Sequence, residues 1–143
     1  MTSPAPDELA IRSLVARYTD AVNRYDEALW AGTWAVNGVW DLAGMVVEGR
    51  KAVVDFWRNA MGSFEFAIQL VSQGTIEIEG DRASDHWYLT ETLRPKGADA
   101  DRITIGCNVD EYVKENGPWC FAKRTYRVLY DREREQGNFS LLT

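Results

Sequence analysis

Residues 102–131 read RITIGCNVDEYVKENGPWCFAKRTYRVLYD, and they predict a long β-hairpin. The stretch is rich in Ile, Val, Thr and aromatic residues, which are typical of β-strands. Its centre, Glu115-Asn116-Gly117, suits a type I turn followed by a glycine in the left-handed region. We therefore predict two antiparallel strands, over about residues 102–114 and 118–131.

The turn also predicts which residues of the two strands lie opposite each other. A three-residue loop pairs Lys114 with Pro118, and it therefore places Asn108 opposite Arg124. A two-residue turn would shift every pair by one position and separate these two side chains. We favour the first register.

The two faces of the first hairpin strand differ in polarity. Its odd-numbered positions are apolar, namely Ile103, Ile105, Cys107, Val109 and Val113. Alternation alone would bury that face and leave Thr104, Asn108 and Asp110 in water. The opposite arrangement, with the polar row inside, stays open at this point.

Upstream of the hairpin the chain changes from helical to strand periodicity. Apolar residues at helical spacing predict a first helix over about 5–23, and Asp26 is expected to cap a second. A short strand pair, a third helix after Gly49, and two longer strands should follow, at about 39–42 with 45–47, then 65–79 and 82–94. Helices followed by an antiparallel meander indicate one α+β domain over residues 5–131, with a tail at 132–143.

Composition limits the classes of function. The chain has 143 residues, 45% of them hydrophobic and 27% charged, as expected for one globular domain. Its net charge of -6 and the lack of a basic cluster argue against nucleic acid as a partner. No apolar run approaches the roughly 18 residues of a membrane span, and no signal peptide is evident. We therefore expect a cytoplasmic protein with no membrane partner.

The sequence also offers little for a metal or cofactor. One His and two Cys cannot build a conventional zinc or iron–sulfur site, and glycine-rich phosphate-binding loops are missing. Cys107 and Cys120 lie several pairs apart in either hairpin register, beyond the roughly 7 Å between Cα atoms that a disulfide allows. We expect two free thiols, no metal and no cofactor.

Several short pieces occur in an order and spacing that resemble a known family. The pieces are Ile11 through Asp26, Val39-Trp40-Asp41, Glu48-Gly49-Arg50, Glu79 to Ala83 with Trp87-Tyr88-Leu89, and Asp110-Glu111-Tyr112 to Trp119. Together they resemble the SnoaL-like branch of the nuclear transport factor 2-like superfamily, which includes polyketide cyclases, scytalone dehydratase, bile-acid dehydratase and a dehydrochlorinase. The resemblance implies a cone-like, curved antiparallel sheet wrapped around the N-terminal helices, a cystatin-like roll that encloses a small-molecule pocket.

The resemblance also implies where the pocket residues lie. The dehydratase-type relatives place a tyrosine and an aspartate on the first helix and a histidine on the third strand; the matching positions here are Tyr18, Asn23 and Gln69. Two amides thus replace the usual acid–base pair, and neither amide can transfer a proton near neutral pH. We expect Asn23 and Gln69 to bind the substrate through hydrogen bonds.

Three further pocket residues follow from the same resemblance: Glu91, Asn108 and Arg124. Glu91 also lies in the apolar stripe of its strand with Trp87 and Leu89, so its carboxyl group should be desolvated and its pKa raised. We expect Glu91 to transfer the proton and Arg124, Asn108 and Tyr18 to hold a developing oxyanion. The substrate should also contact Trp87, Leu89 and Tyr126. A structural ion pair between Glu91 and Arg124 or Arg94 is the alternative.

Three functions remain open on this evidence. The first is a cofactor-independent lyase, isomerase or cyclase acting on a hydrophobic or polycyclic substrate. The second is a non-catalytic ligand-binding protein, which the replaced acid–base pair favours. The third is a structural subunit like the small subunit of ring-hydroxylating oxygenases. In each case we expect a homodimer, because the apolar face with Ile103, Ile105 and Val109 needs cover.

Overall fold

A computed structural model describes residues 5–72 and 74–141 of the chain. Three helices and seven strands follow one another, and the last two strands form the predicted long hairpin. The elements are α1 Ala5–Arg24, α2 Glu27–Ala31, β1 Trp34–Leu42, β2 Met45–Glu48, α3 Arg50–Gly62, β3 Phe64–Val71, β4 Glu77–Glu79, β5 Arg82–Pro95, β6 Ala100–Lys114 and β7 Trp119–Glu135.

The seven strands form one sheet in the order β2-β1-β7-β6-β5-β3, with β4 also paired to β5. The predicted α+β class is confirmed, and the sheet is curved and open. Its pairings are antiparallel except between β1 and β7, which run parallel, so the sheet is mixed where we expected a purely antiparallel one. Helices α1 and α3 pack against the inner face of this sheet.

The helices form where the sequence predicts them. The apolar stripe of α1 is buried along its length, from Ile11 to Val22. Asp26 caps α2, since its Oδ1 accepts a hydrogen bond from the backbone N–H of Leu29 at 3.1 Å. Helix α2 ends at Ala31, and Trp34 begins β1. The chain turns there into the sheet.

A cluster of tryptophans joins the helices to β1. Trp30 of α2 stacks on Trp57 of α3, with ring centroids 4.5 Å apart and planes 9° from parallel. Trp34 and Trp40 of β1 pack against Trp30 at 5.6 and 5.4 Å. Aromatic pairs at these separations add to the free energy of burial, so the cluster fixes one wall of the molecule.

The predicted strand over 65–79 is broken in the structure. β3 ends at Val71 and β4 begins at Glu77, although both pair with β5. Gly74 lies in the interruption, so close to β5 that an added Cβ would come within 2.2 Å of the His86 carbonyl oxygen. Only glycine fits this close approach to β5.

The register predicted for the hairpin is wrong. Lys114 pairs with Trp119, and Arg124 pairs with Asp110, not with Asn108. Proline has no N–H to donate, so Pro118 stays in a four-residue loop that the Glu115 N–H closes on the Pro118 carbonyl at 2.9 Å. A bulge between Phe121 and Lys123 then changes the register once more.

The polar row of β6 faces inward, which settles the alternative left open by the sequence. Thr104, Asn108 and Asp110 are buried, whereas Ile105 and Val109 on the other face are exposed. The alternation rule fails here because Arg124 neutralises Asp110 from the neighbouring strand. The residues that the apolar pattern would bury therefore form the outer face of the sheet.

The C-terminal segment folds back onto the sheet. β7 continues to Glu135, beyond residue 132 where we expected the tail to begin. Phe139 then stacks on Phe66 with centroids 3.7 Å apart, and the Arg94 guanidinium donates to the Gly137 carbonyl at 2.8 Å. None of the helices in the described ranges is long and apolar enough to cross a membrane.

Candidate functional site

A cavity of about 210 Å³ lies between the inner sheet face and helices α1 and α3. Much of its wall is apolar, with Val22, Trp40, Leu42, Trp57, Met61 and Leu93 among the contributing residues. Its polar groups come from four strands and one helix: Tyr18, Gln69, Glu91, Asn108 and Tyr126. An apolar cavity with a few converging polar groups is the usual form of a small-molecule site.

A larger groove of about 480 Å³ lies on the outer sheet face beneath the C-terminal segment. It is open to solvent, and its Arg94 and Asp101 bind each other at 2.7 Å with both side chains largely buried. Charges that satisfy each other leave little for a ligand. The inner cavity is therefore the better candidate.

Among the described residues that line the inner cavity, Glu91 alone has a carboxyl group. Gln69 lies directly opposite on β3, and its Nε2 donates a hydrogen bond to Glu91 Oε2 at 2.7 Å. None of the described Arg, Lys or His side chains forms an ion pair with Glu91, so the predicted structural ion pair is wrong. Burial raises the pKa of Glu91, and the hydrogen bond from Gln69 opposes that rise.

Asn23 holds the backbone of Gln69 and does not line the inner cavity. Its Nδ2 donates to the Gln69 carbonyl at 2.9 Å, and its Oδ1 accepts from the Gln69 N–H at 2.7 Å. These two bonds join the end of α1 to β3. The structure therefore does not bring Asn23 to the inner cavity, because its side-chain amide holds the backbone of Gln69.

Arg124 is also absent from the cavity wall. Its Nε and a terminal nitrogen donate to the two carboxylate oxygens of Asp110 at 2.8 and 2.9 Å. The central carbon of the guanidinium lies over the rings of Tyr18 and Phe121, 4.3 Å from each centroid. The prediction that Arg124 and Asn108 form an oxyanion site fails because the true register gives Arg124 a buried carboxylate partner.

Two aspartates that the sequence did not indicate as site residues lie beside Arg124. Asp85 and Asp110 are opposite each other on β5 and β6, and the Tyr112 hydroxyl lies 2.7 Å from Asp85 Oδ2 and 3.2 Å from Asp110 Oδ2. Burial and, less strongly, the charge of Asp110 raise the pKa of Asp85 to about 7. Asp85 shares the odd-numbered inward stripe of β5 with Trp87, which was the available sign of its burial.

Trp87 and Leu89 belong to the core and do not line the cavity. The Trp87 indole N–H donates to the Tyr112 oxygen at 2.9 Å, so it completes the buried network. Leu89 lies opposite Gly106 of β6. Trp87 and Leu89 thus face inward as predicted, but the structure does not bring them to the wall of the inner cavity.

Asn108 and Tyr126 do line the cavity, and they pair across β6 and β7. The side-chain amide of Asn108 makes no hydrogen bond to any other residue that the structure describes. It is therefore available to a ligand. The Tyr126 ring covers Gly106 so closely that a Cβ there would come within 2.5 Å of it. Burial raises the pKa of Tyr126, which keeps its hydroxyl protonated near neutral pH.

Tyr18 places a second phenol at the cavity. Burial raises the pKa of Tyr18 to about 12, although the nearby Arg124 charge opposes the rise. Its hydroxyl is therefore a hydrogen-bond donor and not a base at ordinary pH. The inner cavity thus holds one carboxyl group, two phenols and two amides.

The chain offers no evident metal centre within the described ranges, where no group of three or more His, Cys, Asp or Glu side chains could hold an ion. Cys107 and Cys120 are buried and free, as predicted. Burial raises the pKa of both thiols, which makes them poor nucleophiles.

Comparison with known proteins identifies a family and a fold. A model described as the SnoaL-like domain matches residues 3–125. A Novosphingobium aromaticivorans protein, provisionally described as a scytalone dehydratase, superposes with a TM-score of 0.84 at 18% identity, covering 93% of this chain and 91% of that one. Hexachlorocyclohexane dehydrochlorinase LinA-type3 of Novosphingobium barchaimii gives 0.86 at 17% identity and 95% coverage of both.

A third solved structure is less similar in shape and more similar in sequence. Rv3472 of Mycobacterium tuberculosis, described as a protein of unknown function, gives a TM-score of 0.76 at 27% identity, covering 85% of this chain and 76% of that one. Among curated proteins, no sequence matches. The family and the fold agree with the resemblance found in the sequence.

Proposed function

The chain belongs to the SnoaL-like domain family, and we propose that it is a cofactor-independent lyase or isomerase in which Glu91 is the base. One observation supports this proposal above the others. Glu91 is a partly buried carboxyl group on the wall of the inner cavity, and its hydrogen-bond partner is the neutral side-chain amide of Gln69. A carboxylate without a counter-ion in such a place is a stronger base than one in water.

The proposed reaction begins with removal of a proton from carbon. Glu91 Oε1 takes a proton from the carbon next to a carbonyl group, and the electron pair of the broken C–H bond moves onto the carbonyl oxygen. Asn108, Tyr126 and Tyr18 supply the donors that stabilise this oxygen. Gln69 holds Oε2, so Oε1 is the oxygen free to react.

The second step decides the reaction class. In a lyase, the electron pair returns to form a C=C bond while the neighbouring carbon releases its leaving group with the bonding pair. In an isomerase, protonated Glu91 returns the proton to a different carbon. The two related structures are named for a dehydratase and a dehydrochlorinase, both of which eliminate a small molecule, and this favours the lyase.

Proton abstraction can be tested without knowing the leaving group. Deuterium exchange next to the carbonyl of 1-indanone, 2-tetralone and cyclohexenone in D2O is followed by NMR with wild type, Glu91→Gln and Glu111→Gln. Glu111 is exposed on the outer face of β6 and is the matched control. We expect wild type and Glu111→Gln to accelerate exchange of at least one ketone, and Glu91→Gln to lose about 10²- to 10⁴-fold. Equal rates in Glu91→Gln and wild type would remove Glu91 from the mechanism.

A ligand-binding protein without chemistry is the second candidate. Amides at Asn23 and Gln69 favour it, because the resemblance places the family's acid–base pair at these two positions. Tight binding of a ketone by wild type with no accelerated exchange would support this reading. A structural subunit is less well supported, since such a role needs no cavity with converging polar groups.

We also propose that the protein is a homodimer joined through the outer face of its sheet. Five large apolar side chains are exposed on that face: Leu70, Tyr88, Ile105, Val109 and Tyr130. Leu70 is 69% exposed, and a connected apolar surface of this kind is unusual for a monomer. Sedimentation of a clean monomer at micromolar concentration would contradict the proposal. The free cysteines suit a reducing compartment, and we propose that this compartment is the cytoplasm.

A further inference from the structure

None of the described residues that line the inner cavity has a cationic side chain. Glu91 is its one carboxyl group, and the remaining polar groups are amides and phenols. A ligand carboxylate entering this cavity would lose its hydration without gaining a counter-ion, and it would meet Glu91. Burial of an unpaired charge costs several kcal/mol in proteins.

The guanidinium of Arg124 belongs to a row of paired residues that borders the cavity. Trp40, Arg124 and Asp110 form a row across three strands, and the next row is Leu42, Tyr126 and Asn108. Four of these six side chains, in both rows, line the cavity. Arg124 is therefore adjacent to the cavity, and it lies against the back of the Tyr18 ring at 4.3 Å.

Asp110 is what holds Arg124 away from a ligand. It accepts both hydrogen bonds from the guanidinium fork, and it is itself 0% exposed while Arg124 is 1% exposed. A bidentate pair of this geometry leaves the cation neutralised and fixed in orientation. Without the Asp110 charge, the Arg124 cation would be the nearest counter-ion for any anion in the cavity.

The size of the cavity limits the ligand. An apolar cavity of about 150 Å³ binds benzene, so a cavity of about 210 Å³ accommodates one substituted ring or a compact pair of rings. A skeleton of four fused rings would not fit in this space.

The aromatic wall adds a preference for flat rings. Trp57 lines the cavity, yet its two faces are stacked on Trp30 at 4.5 Å and Tyr25 at 5.5 Å. It therefore presents its edge to a ligand. Ring edges carry partial positive charge and attract the electron-rich face of an unsaturated ring.

We propose that the cavity takes an uncharged, flat ligand of one or two rings and rejects carboxylates, and that Asp110 is the residue that determines this preference. The proposal rests on the cavity of the proposed function but not on the proton transfer. Asp110 acts through Arg124 and does not touch the ligand, so it is a specificity-determining residue and not a catalytic one.

A pair of probes that differ only in charge tests the proposal. Dissociation constants for 2-naphthamide and 2-naphthoate are measured by calorimetry at pH 7.5 with wild type, Asp110→Asn and Asp131→Asn. The control Asp131 loses the same charge at an exposed position on β7, where it binds Arg102. We expect wild type and Asp131→Asn to bind the amide at least tenfold more tightly than the carboxylate. In Asp110→Asn the freed Arg124 charge should reduce that ratio at least fivefold.

Tyr18→Leu gives a second test that keeps both charges of the buried ion pair. It removes the ring that separates Arg124 from the cavity, and the proposal expects 2-naphthoate to remain the weaker ligand because Asp110 still holds the guanidinium. Tight binding of 2-naphthoate to Tyr18→Leu would show that the ring, not Asp110, sets the preference. Equal affinities in wild type, or no binding of 2-naphthamide, would also overturn the proposal.

These results are separable from the test of Glu91. A tenfold preference for the amide stands even if no ketone undergoes faster exchange, and faster exchange dependent on Glu91 stands even if 2-naphthoate binds well.

Discussion

Arg124 and Asp110 form a two-point ion pair with both side chains removed from solvent, at 2.8 and 2.9 Å. The pair joins the two longest strands directly behind the candidate site. Each charge is stabilised by the other because neither reaches water. The stability of the fold and the electrostatics of the cavity therefore depend on the same contact.

Removing one member of this pair should be severely destabilising. Asp110→Ala leaves the Arg124 cation buried without a counter-ion, and we expect the free energy of unfolding to fall by about 3–5 kcal/mol. Asp131→Ala breaks an exposed ion pair with Arg102 and should cost less than about 1 kcal/mol. Urea denaturation followed by circular dichroism measures both. Similar losses in the free energy of unfolding would mean that the buried ion pair stabilises the fold no more than the exposed one.

The second buried carboxyl group makes stability depend on pH. The folded pKa of Asp85 is about 7, above its ordinary value of 3.8, because burial and the Asp110 charge disfavour ionisation. Folded Asp85 therefore binds a proton more tightly than the unfolded chain does. Its contribution to stability is complete at low pH and is lost as pH rises toward 7.

Asp85→Asn should remove this pH dependence. The amide cannot ionise beside Asp110, Tyr112 and Arg124. As pH rises from 5 to 7, the free energy of unfolding should therefore fall by about 2 kcal/mol less in the variant than in wild type. Unfolding by urea at half-unit pH steps measures the difference. Parallel stability curves for the two proteins would contradict the assignment of the proton to Asp85.

Much of the fold was predictable from local patterns. The α1 stripe, the Asp26 cap and the inward stripe of β5 with Glu91 each depend on residues close in sequence. The pairing of Arg124 with Asp110 was not predictable in that way, because it depends on how the loop at Pro118 closes and on the bulge before Lys123. One misplaced loop residue changes the partner of every later side chain.

The candidate site shows the same division. Glu91, Gln69, Asn108, Tyr126 and Tyr18 line the cavity as the resemblance implied. Asn23 and Arg124 were expected there too, but each is held by a partner that no periodicity indicates: the backbone of Gln69 for the first and Asp110 for the second. Polar side chains of this kind can find all their hydrogen-bond partners within the protein, and the sequence does not show when this happens.

The stability of the fold should require an amide, and not a carboxylate, at position 23. Asn23→Asp places a carboxylate oxygen where Nδ2 now donates to the Gln69 carbonyl at 2.9 Å, so two acceptors face each other. We expect a loss of about 1–3 kcal/mol in the free energy of unfolding. The exposed Asn138→Asp variant makes the same chemical change without this contact. An Asn23→Asp protein as stable as its control would rule out the positioning role.

The thiols should be free but slow to react. Cys107 and Cys120 are buried, and burial raises the pKa of each thiol, which lowers the thiolate fraction. A thiol reagent at pH 8 should label the folded protein slowly and label two groups at once in urea under non-reducing conditions. Fewer than two groups in urea would indicate a disulfide.

The pH profile of proton transfer should report the environment of Glu91. Because burial raises the pKa of Glu91, the rate of deuterium exchange should rise with pH through a midpoint above the ordinary value of 4.5. Gln69 Nε2 donates to the carboxylate at 2.7 Å and favours its ionised form. Gln69→Leu removes that donor, so the midpoint should move to higher pH while the plateau rate persists. Gln136→Leu, on the exposed C-terminal segment, is the control and should leave the profile unchanged. A midpoint at or below 4.5, or a shift to lower pH in Gln69→Leu, would show that a group other than Glu91 carries the proton.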